Sequence, residues 1–371
     1  MVEPIQEVVT NPGLGVAMFM LGGLAGAVFY LPFKRVKRWA WESYWLVYAL
    51  VGLIAVPWAL ALGTSPNVLG VLRDTPAAEI RYCFLCGAMW GLGGLTWGLM
   101  IRYLGVGLGL AIGCGLCSAV GTLVPPIRAG QAAALYATGP GRVSLAGVVV
   151  SILGIILVGM AGMSKENELS EEAKKKSVAE YNFKKGILIA VFSGLMSACM
   201  NIGLQGGATM EKLAQTVAPS TSPTWRGMPV LVVVLAGGCA VNVLWCLFLN
   251  AKNKTFGDYV KRDAPLAANL FFAGLAGAIW CSQFICLKTG EPAMGETKYI
   301  GFAVLMASAI LFSTMLGIFL GEWRGTSRRT RTLLALGLAL LLASAAIGAY
   351  SGYCAKQLQP RAAAPVLDLG S

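Results

Sequence analysis

The chain contains no histidine, and only 12% of its 371 residues are charged. A water-facing surface needs about 25% charged residues. A soluble protein of this composition is therefore excluded, and the exterior must meet lipid. Without imidazole, the common mixed cysteine–histidine metal sites are excluded as well. The N-terminal tail has no Lys or Arg before the first apolar run and carries Glu3 and Glu7. That is not the pattern of a cleaved signal peptide, so the first apolar run is expected to stay as a helix. The chain has no hydrophilic domain; its one strongly hydrophilic stretch is residues 164–184.

Apolar residues and glycine are what the chain has in quantity. Hydrophobic residues make up 57%, mean hydropathy is +0.69, and there are 47 glycines. The ten cysteines all fall in or beside apolar runs. Thiols there behave as small hydrophobes. Cys83–Cys86 and Cys114–Cys117 have C-x-x-C spacing but sit on apolar helices, so they read as packing rather than metal or redox chemistry. The net charge of +12 is placed in loops between apolar runs, which argues for membrane topology and against nucleic acid.

A spanning helix needs about 20 apolar residues. Ten such runs occur, at 13–33, 43–62, 81–103, 105–124, 143–163, 185–205, 228–249, 268–288, 299–320 and 332–353. Of the 29 Lys and Arg, 19 fall in the odd-numbered loops. The positive-inside bias then puts those loops in the cytoplasm and both termini outside. The hydrophilic stretch 164–184 mixes both signs and lies between the fifth and sixth runs, so it reads as a cytoplasmic linker. The expected layout is a five-helix unit at 1–163, the linker, a second five-helix unit at 185–353 and a tail at 354–371. Units with an odd number of spans must lie in the membrane in opposite directions.

The glycine-rich hairpin from Gly87 to Ile127 anchors that comparison, with Arg102, near its middle, as its one charge. Gly87-Ala88-Met89-Trp90 matches Gly277-Ala278-Ile279-Trp280 in the eighth run. Gly105 and Gly295 each follow their Trp by fifteen residues, and Gly121 and Gly317 lie near the ends of the next runs. Arg142 and Arg329–Arg331 precede the last run of each half. Four matches in one order point to an inverted repeat. Gly22–Gly26, Gly87–Gly91, Gly94–Gly98 and Gly109–Gly113 have the small-xxx-small spacing of closely packed membrane helices. Gly105-Val-Gly-Leu-Gly109 lacks the preceding strand of a nucleotide loop and reads as packing too.

Four motifs resemble one known family. They are F-Y-x-P-F-K-x-V-K-x-W-x-W-E at Phe29–Glu42, G-A-M-W-G-x-G at Gly87–Gly93, R-Y-L-G at Arg102–Gly105 and G-T-L-x-x-P-I at Gly121–Ile127. Together they look like the L-rhamnose–proton symporter family of the drug/metabolite transporter superfamily. Thinner likeness continues through Asn242, Gln283 and Gly321–Trp323. The resemblance implies an all-α, ten-helix protein of the bacterial inner membrane, built as two inverted five-helix repeats. It implies proton-coupled uptake of L-rhamnose or L-lyxose, with a sugar, protons and lipid as partners and no cofactor. Two departures bear on sugar and proton. Gly94 and Thr96 stand where the family tends to carry asparagines, and Glu296-Thr297-Lys298-Tyr299-Ile300 stands where it tends to read Q-Y-D-Y-I.

A sugar site needs aromatic faces and hydrogen-bonding groups, and polar side chains inside a membrane should face the bundle interior. Trp90 and Trp280 are expected on opposite sides of a midplane cavity, with Trp97 two turns from Trp90. The competing reading for each is lipid or interface packing. Asn201 and Gln205 share a face at i, i+4, and Gln283 shares the face of Trp280; with Asn242 they are either sugar ligands or interhelical glue. Thr96 and Tyr30 are further candidates, although a membrane Thr often bonds its own helix. With no histidine, proton coupling needs a carboxylate. Glu296 is the first choice and Glu291 the second, with Lys288 and Lys298 beside them and a solvated ion pair as the alternative. Lys288 can pair with Glu291 if the helix continues that far. Glu42 is expected to pair with Lys34, Lys37 or Arg38, Glu322 with the arginines beside it, and Asp74 and Glu79 are expected to be solvated.

The second functional reading keeps the fold and changes the task to export or exchange of another metabolite, with Lys298 favouring an anion. An embedded enzyme or sensor lacks support, because no nucleophile–base pair or ligand cluster is evident. The oligomeric state stays open.

Overall fold

The computed structural model describes residues 10–104, 106–168, 182–261, 263–321 and 323–358. Most of the expected linker, most of the C-terminal tail, Gly105 and Glu322 lie outside the described residues. Among the described residues there are fourteen α-helices. In the first half these are α1 (Pro12–Val28), α2 (Trp41–Leu50), α3 (Val56–Thr64), α4 (Val68–Asp74), α5 (Ala77–Leu104), α6 (Val106–Arg128), α7 (Ala132–Ala137) and α8 (Gly139–Asn167). In the second they are α9 (Phe183–Gln205), α10 (Ala208–Thr216), α11 (Met228–Asn253), α12 (Leu266–Met294), α13 (Gly301–Phe319) and α14 (Arg328–Leu358). A π-helical segment, Val51–Ala55, joins α2 to α3.

Nine helical stretches of the described residues are long and apolar enough to cross a membrane. One of them, Leu266–Phe319, is 54 residues long and contains both α12 and α13. These are parted by a 3₁₀ segment, Gly295–Ile300, entered through Gly295 at φ +56°. Large apolar side chains stand exposed along the bundle, among them Leu62, Leu188, Leu244 and Phe271. In water such a surface would aggregate; in a bilayer it is the lipid face. The chain is an integral, multi-pass membrane protein.

The helix packing follows one scheme. α5 lies against α9 and α11, and α12 lies against α1 and α2. α6 packs on α9 and α8, while α13 packs on α1 and α14. α8 meets α14 and α2 meets α11. Glycines at the repeated motif allow close backbone approaches. A Cβ on Gly87 would stand 1.8 Å from the Val234 carbonyl oxygen of α11. A Cβ on Gly277 would stand 2.5 Å from the Tyr48 carbonyl oxygen of α2.

Two side-chain expectations are corrected here. Glu42 is buried and makes no ion pair with Lys34, Lys37 or Arg38 among the described residues; it accepts hydrogen bonds from Asn253 Nδ2 and Thr255 Oγ1, both at 2.9 Å. These donors lie where α11 ends against the start of α2, and Arg38 pairs with Asp263 instead. Glu79 is engaged rather than free: its carboxylate accepts the Met210 N–H at 3.0 Å, in the first turn of α10. That turn offers unpaired N–H groups and the positive helix end.

Candidate functional site

The second half supplies a chain of buried charges. α12 continues past Lys288 to Met294, so Lys288 and Glu291 are on one face at i, i+3. Lys288 Nζ meets Glu291 Oε2 at 2.6 Å and also bonds Glu211 Oε1 from α10. Lys288 is 1% exposed and Glu291 2%, so neither charge is solvated and each depends on its partner. Glu291 Oε1 accepts Gln205 Nε2 at 2.5 Å. On the far side of Glu211, Arg226 Nε lies 3.6 Å and Lys298 Nζ 3.8 Å from Oε2.

This chain borders a cavity of about 530 Å³. Its wall includes Gln131, Gln205, Arg226, Glu296, Lys298 and Tyr299. The volume is within the range of small-molecule sites. Prolines shape the wall, since Pro125, Pro126 and Pro292 all line it. A proline inside a helix has no N–H for the carbonyl four residues back. For Pro125 that carbonyl belongs to Gly121, and Asn201 Nδ2 bonds it at 2.7 Å. For Pro292 it belongs to Lys288, at the centre of the charge chain.

The expected site residues separate into groups. Gln205 and Glu296 line the cavity, with Glu296 exposed, and Glu291 is buried behind Gln205. Trp90 and Trp280 do not flank a cavity. Their rings stack at 5.1 Å between centroids and 26° between planes, which leaves no room for a sugar between them. α5 and α12 are each seated by a motif glycine on another helix, α5 on α11 and α12 on α2, and the two rings meet between them. Trp280 lies eleven residues before Glu291, about 16 Å along the helix.

The remaining candidates have protein partners. Trp97 Nε1 donates to Ser197 Oγ at 2.9 Å. Thr96 Oγ1 donates to the Gly93 carbonyl at 2.8 Å, within its own helix. Asn242 accepts from Trp45 Nε1 at 3.0 Å and donates to the Gly238 carbonyl at 2.9 Å. Gln283 Nε2 donates to the Trp280 carbonyl at 3.0 Å, and its Oε1 faces Gly26 of α1. Tyr30 sits in an aromatic cluster with Phe29, Phe33 and Trp45, on α1's far end from the cavity-lining Thr10.

Sequence reasoning missed Glu211 and Arg226. Both lie in the segment between the sixth and seventh apolar runs, which reads as a plain outer loop. The available signal was α10 itself, an amphipathic stretch from Ala208 to Thr216 with Met210, Glu211, Ala214 and Gln215 on its buried side. Among the described residues no group of three or more Cys, Asp or Glu is placed to hold a metal.

Comparison with known proteins gives the lineage. The family model for the L-rhamnose-proton symport protein (RhaT) matches residues 9–352. The L-rhamnose-proton symporter of Klebsiella pneumoniae subsp. pneumoniae is 34% identical over 340 residues, covering 90% of this chain and 96% of its own. That of Escherichia coli strain ATCC 8739 is 34% identical over 338 residues, with the same shares. That of Cronobacter sakazakii is 32% identical over 340 residues, again covering 90% and 96%. All three are named as transporters rather than enzymes. With the motifs, the membrane-spanning helices and these matches in hand, the chain belongs to the L-rhamnose-proton symporter family.

Proposed function

We propose that this protein takes up L-rhamnose, or a closely similar monosaccharide, together with protons across the bacterial inner membrane. The observation that carries the reading is the contact between Gln205 and Glu291. It joins a sugar-sized cavity to a buried carboxylate through one hydrogen bond. Such a group can exchange a proton in step with cavity occupancy. Glu291 is the coupling carboxylate in this reading, and Glu296 at the cavity wall is the outer proton acceptor. Gln205, Gln131 and Tyr299 hold the sugar on entry. Trp90 and Trp280, with Gln283, Trp97 and Thr96 on the same helices, meet the sugar when the stacked rings part. Asn201, Asn242 and Tyr30 keep the helices that carry this path in place.

The architecture that suits this task is ten spans in two inverted five-helix repeats, with both termini periplasmic. The 54-residue stretch counts as two spans, since it is about twice the length needed for one. The packing supports the repeat: when each span is exchanged for the one five places on, α5–α9 becomes α12–α1, α5–α11 becomes α12–α2, and α6–α9 becomes α13–α1. In that topology the two halves rock about the Trp pair and open the path to each side in turn.

Proteoliposomes holding the purified protein test the reading. L-rhamnose should accumulate when the outside is acidified and should stop accumulating when a proton carrier collapses the gradient. Accumulation that ignores the gradient would remove proton coupling. Arg226 and Lys298 on the cavity wall favour one second reading, export or exchange of an anionic metabolite. In that case sugar acids, and not neutral sugars, would compete for uptake.

A further inference from the structure

Gln205 has two neighbours with different chemistry. Its Nε2 donates to Glu291 Oε1, and the residue lines the cavity. Its Oε1 has no hydrogen-bond partner among the described residues. A primary amide has a donor end and an acceptor end, so fixing one end fixes what the other shows. While Glu291 is ionised it can only accept, and Gln205 must turn its NH₂ inward. The cavity then sees a carbonyl oxygen.

We propose that Gln205 is the element that passes the proton's presence to the sugar, by reversing its side-chain amide when Glu291 takes up a proton. The inference rests on the proton-coupled sugar reading above. Protonation converts the carboxylate to a carboxylic acid whose O–H donates to Gln205 Oε1. The amide NH₂ is released to the cavity and becomes a donor to a sugar hydroxyl. No covalent bond changes apart from the O–H formed on Glu291.

The surrounding charges select Glu291 over Glu211 as the proton's seat. Glu211, from α10, has three cations against it: Lys288 of α12, Arg226 before α11, and Lys298 in the 3₁₀ segment. Glu291 has Lys288 and the Gln205 amide of α9. The buried core of Glu211, Lys288 and Glu291 carries two negative charges and one positive, so one added proton makes it neutral. Lys288 stays paired with Glu211 afterwards, and no buried cation is left alone. Glu296 is exposed at the cavity wall and makes no contact with this core among the described residues.

The test is the pH profile of L-rhamnose affinity for the full-length protein in lipid nanodiscs. In the wild type, affinity should rise by about fivefold or more between alkaline and acid conditions, the usual size of a linkage between two ligands. Gln205→Met keeps the length and loses the amide. Gln205→Asn keeps the amide and is one methylene too short to reach both neighbours. Both should bind more weakly, with a profile that varies less than about twofold. Glu291→Gln should also be flat. A simple packing role for Gln205 would weaken binding equally at every pH. If either Gln205 variant retains the wild-type slope, the inference is overturned while the uptake reading stands. If the wild type itself binds no L-rhamnose, the uptake reading fails instead.

Discussion

Lys288 is the residue on which the site's stability turns. Its ammonium lies between two carboxylates with almost no access to solvent. Removing one member of a buried pair strands the other, at a cost of about 3–5 kcal/mol. Lys288→Met should therefore lower the melting temperature in detergent sharply. Adding Glu291→Gln should recover much of the loss, because Glu211 keeps Arg226 and Lys298. If the double variant melts no higher than the single one, charge stranding is not the cause. Much of this site was visible before the fold. The Lys288–Glu291 spacing and the Gln205 amide are local facts that a helix turns directly into geometry. Glu211 was invisible because its partner is 77 residues away. Asn201 and Asn242 were legible as buried amides but not as occupied ones. Their partners, a carbonyl freed by Pro125 and the indole of Trp45, are properties of neighbouring helices.

At the scale of the helix, two contacts make opposite predictions about glycine. A Cβ on Gly87 would meet the Val234 carbonyl oxygen at 1.8 Å, whereas Gly94 has nothing within 4 Å. Gly87→Ala should push α5 from α11 and cost about 1–3 kcal/mol in thermal stability. Gly94→Ala should fold normally, and its exchange rate then tests whether this glycine lets α5 bend: unchanged exchange would end that idea. The sequence pattern marked both glycines alike, since small-xxx-small spacing does not say which face meets a neighbour. The junction of α8 and α14 carries the pH prediction. Glu168 accepts hydrogen bonds from the Ser327 N–H at 2.7 Å, from Ser327 Oγ and from Thr330 Oγ1, which hold its carboxyl down at about 2. The folded state thus favours the ionised form, and its stabilising effect is present above the ordinary value of 4.5 and is lost as pH falls toward 2. Glu168→Gln should melt below the wild type at pH 6, and the gap should narrow by pH 3. A constant gap would mean that the carboxylate's charge plays no part.

For the whole molecule, orientation is the first thing to measure. In the proposed orientation the cavity opens on the periplasmic side. Ala129 lines that cavity and is exposed, while nine of the ten native cysteines are buried and Cys354 is partly so. An Ala129→Cys, Cys354→Ser protein should react in intact cells with a thiol reagent that cannot cross membranes, and L-rhamnose should slow the reaction. Labelling only after the cells are broken would reverse the assigned orientation. That the chain is made of apolar spans was readable from composition, because each must be long and greasy on its own. Which runs touch was not, because packing partners are chosen across the bundle. The Trp90–Trp280 stack has one consequence at this scale. In the proposed inverted repeat, exchanging the two halves carries each ring onto the other, so the contact maps onto itself. A pair of this kind weighs equally in the outward and inward forms and sets no preference between them. The preference must come from whatever the two halves do not share, and Glu211, Lys288 and Glu291 are all in the second half. On that proposed repeat the resting state is a matter of charge asymmetry, and neutralising the cluster should move the population between forms without touching the pivot.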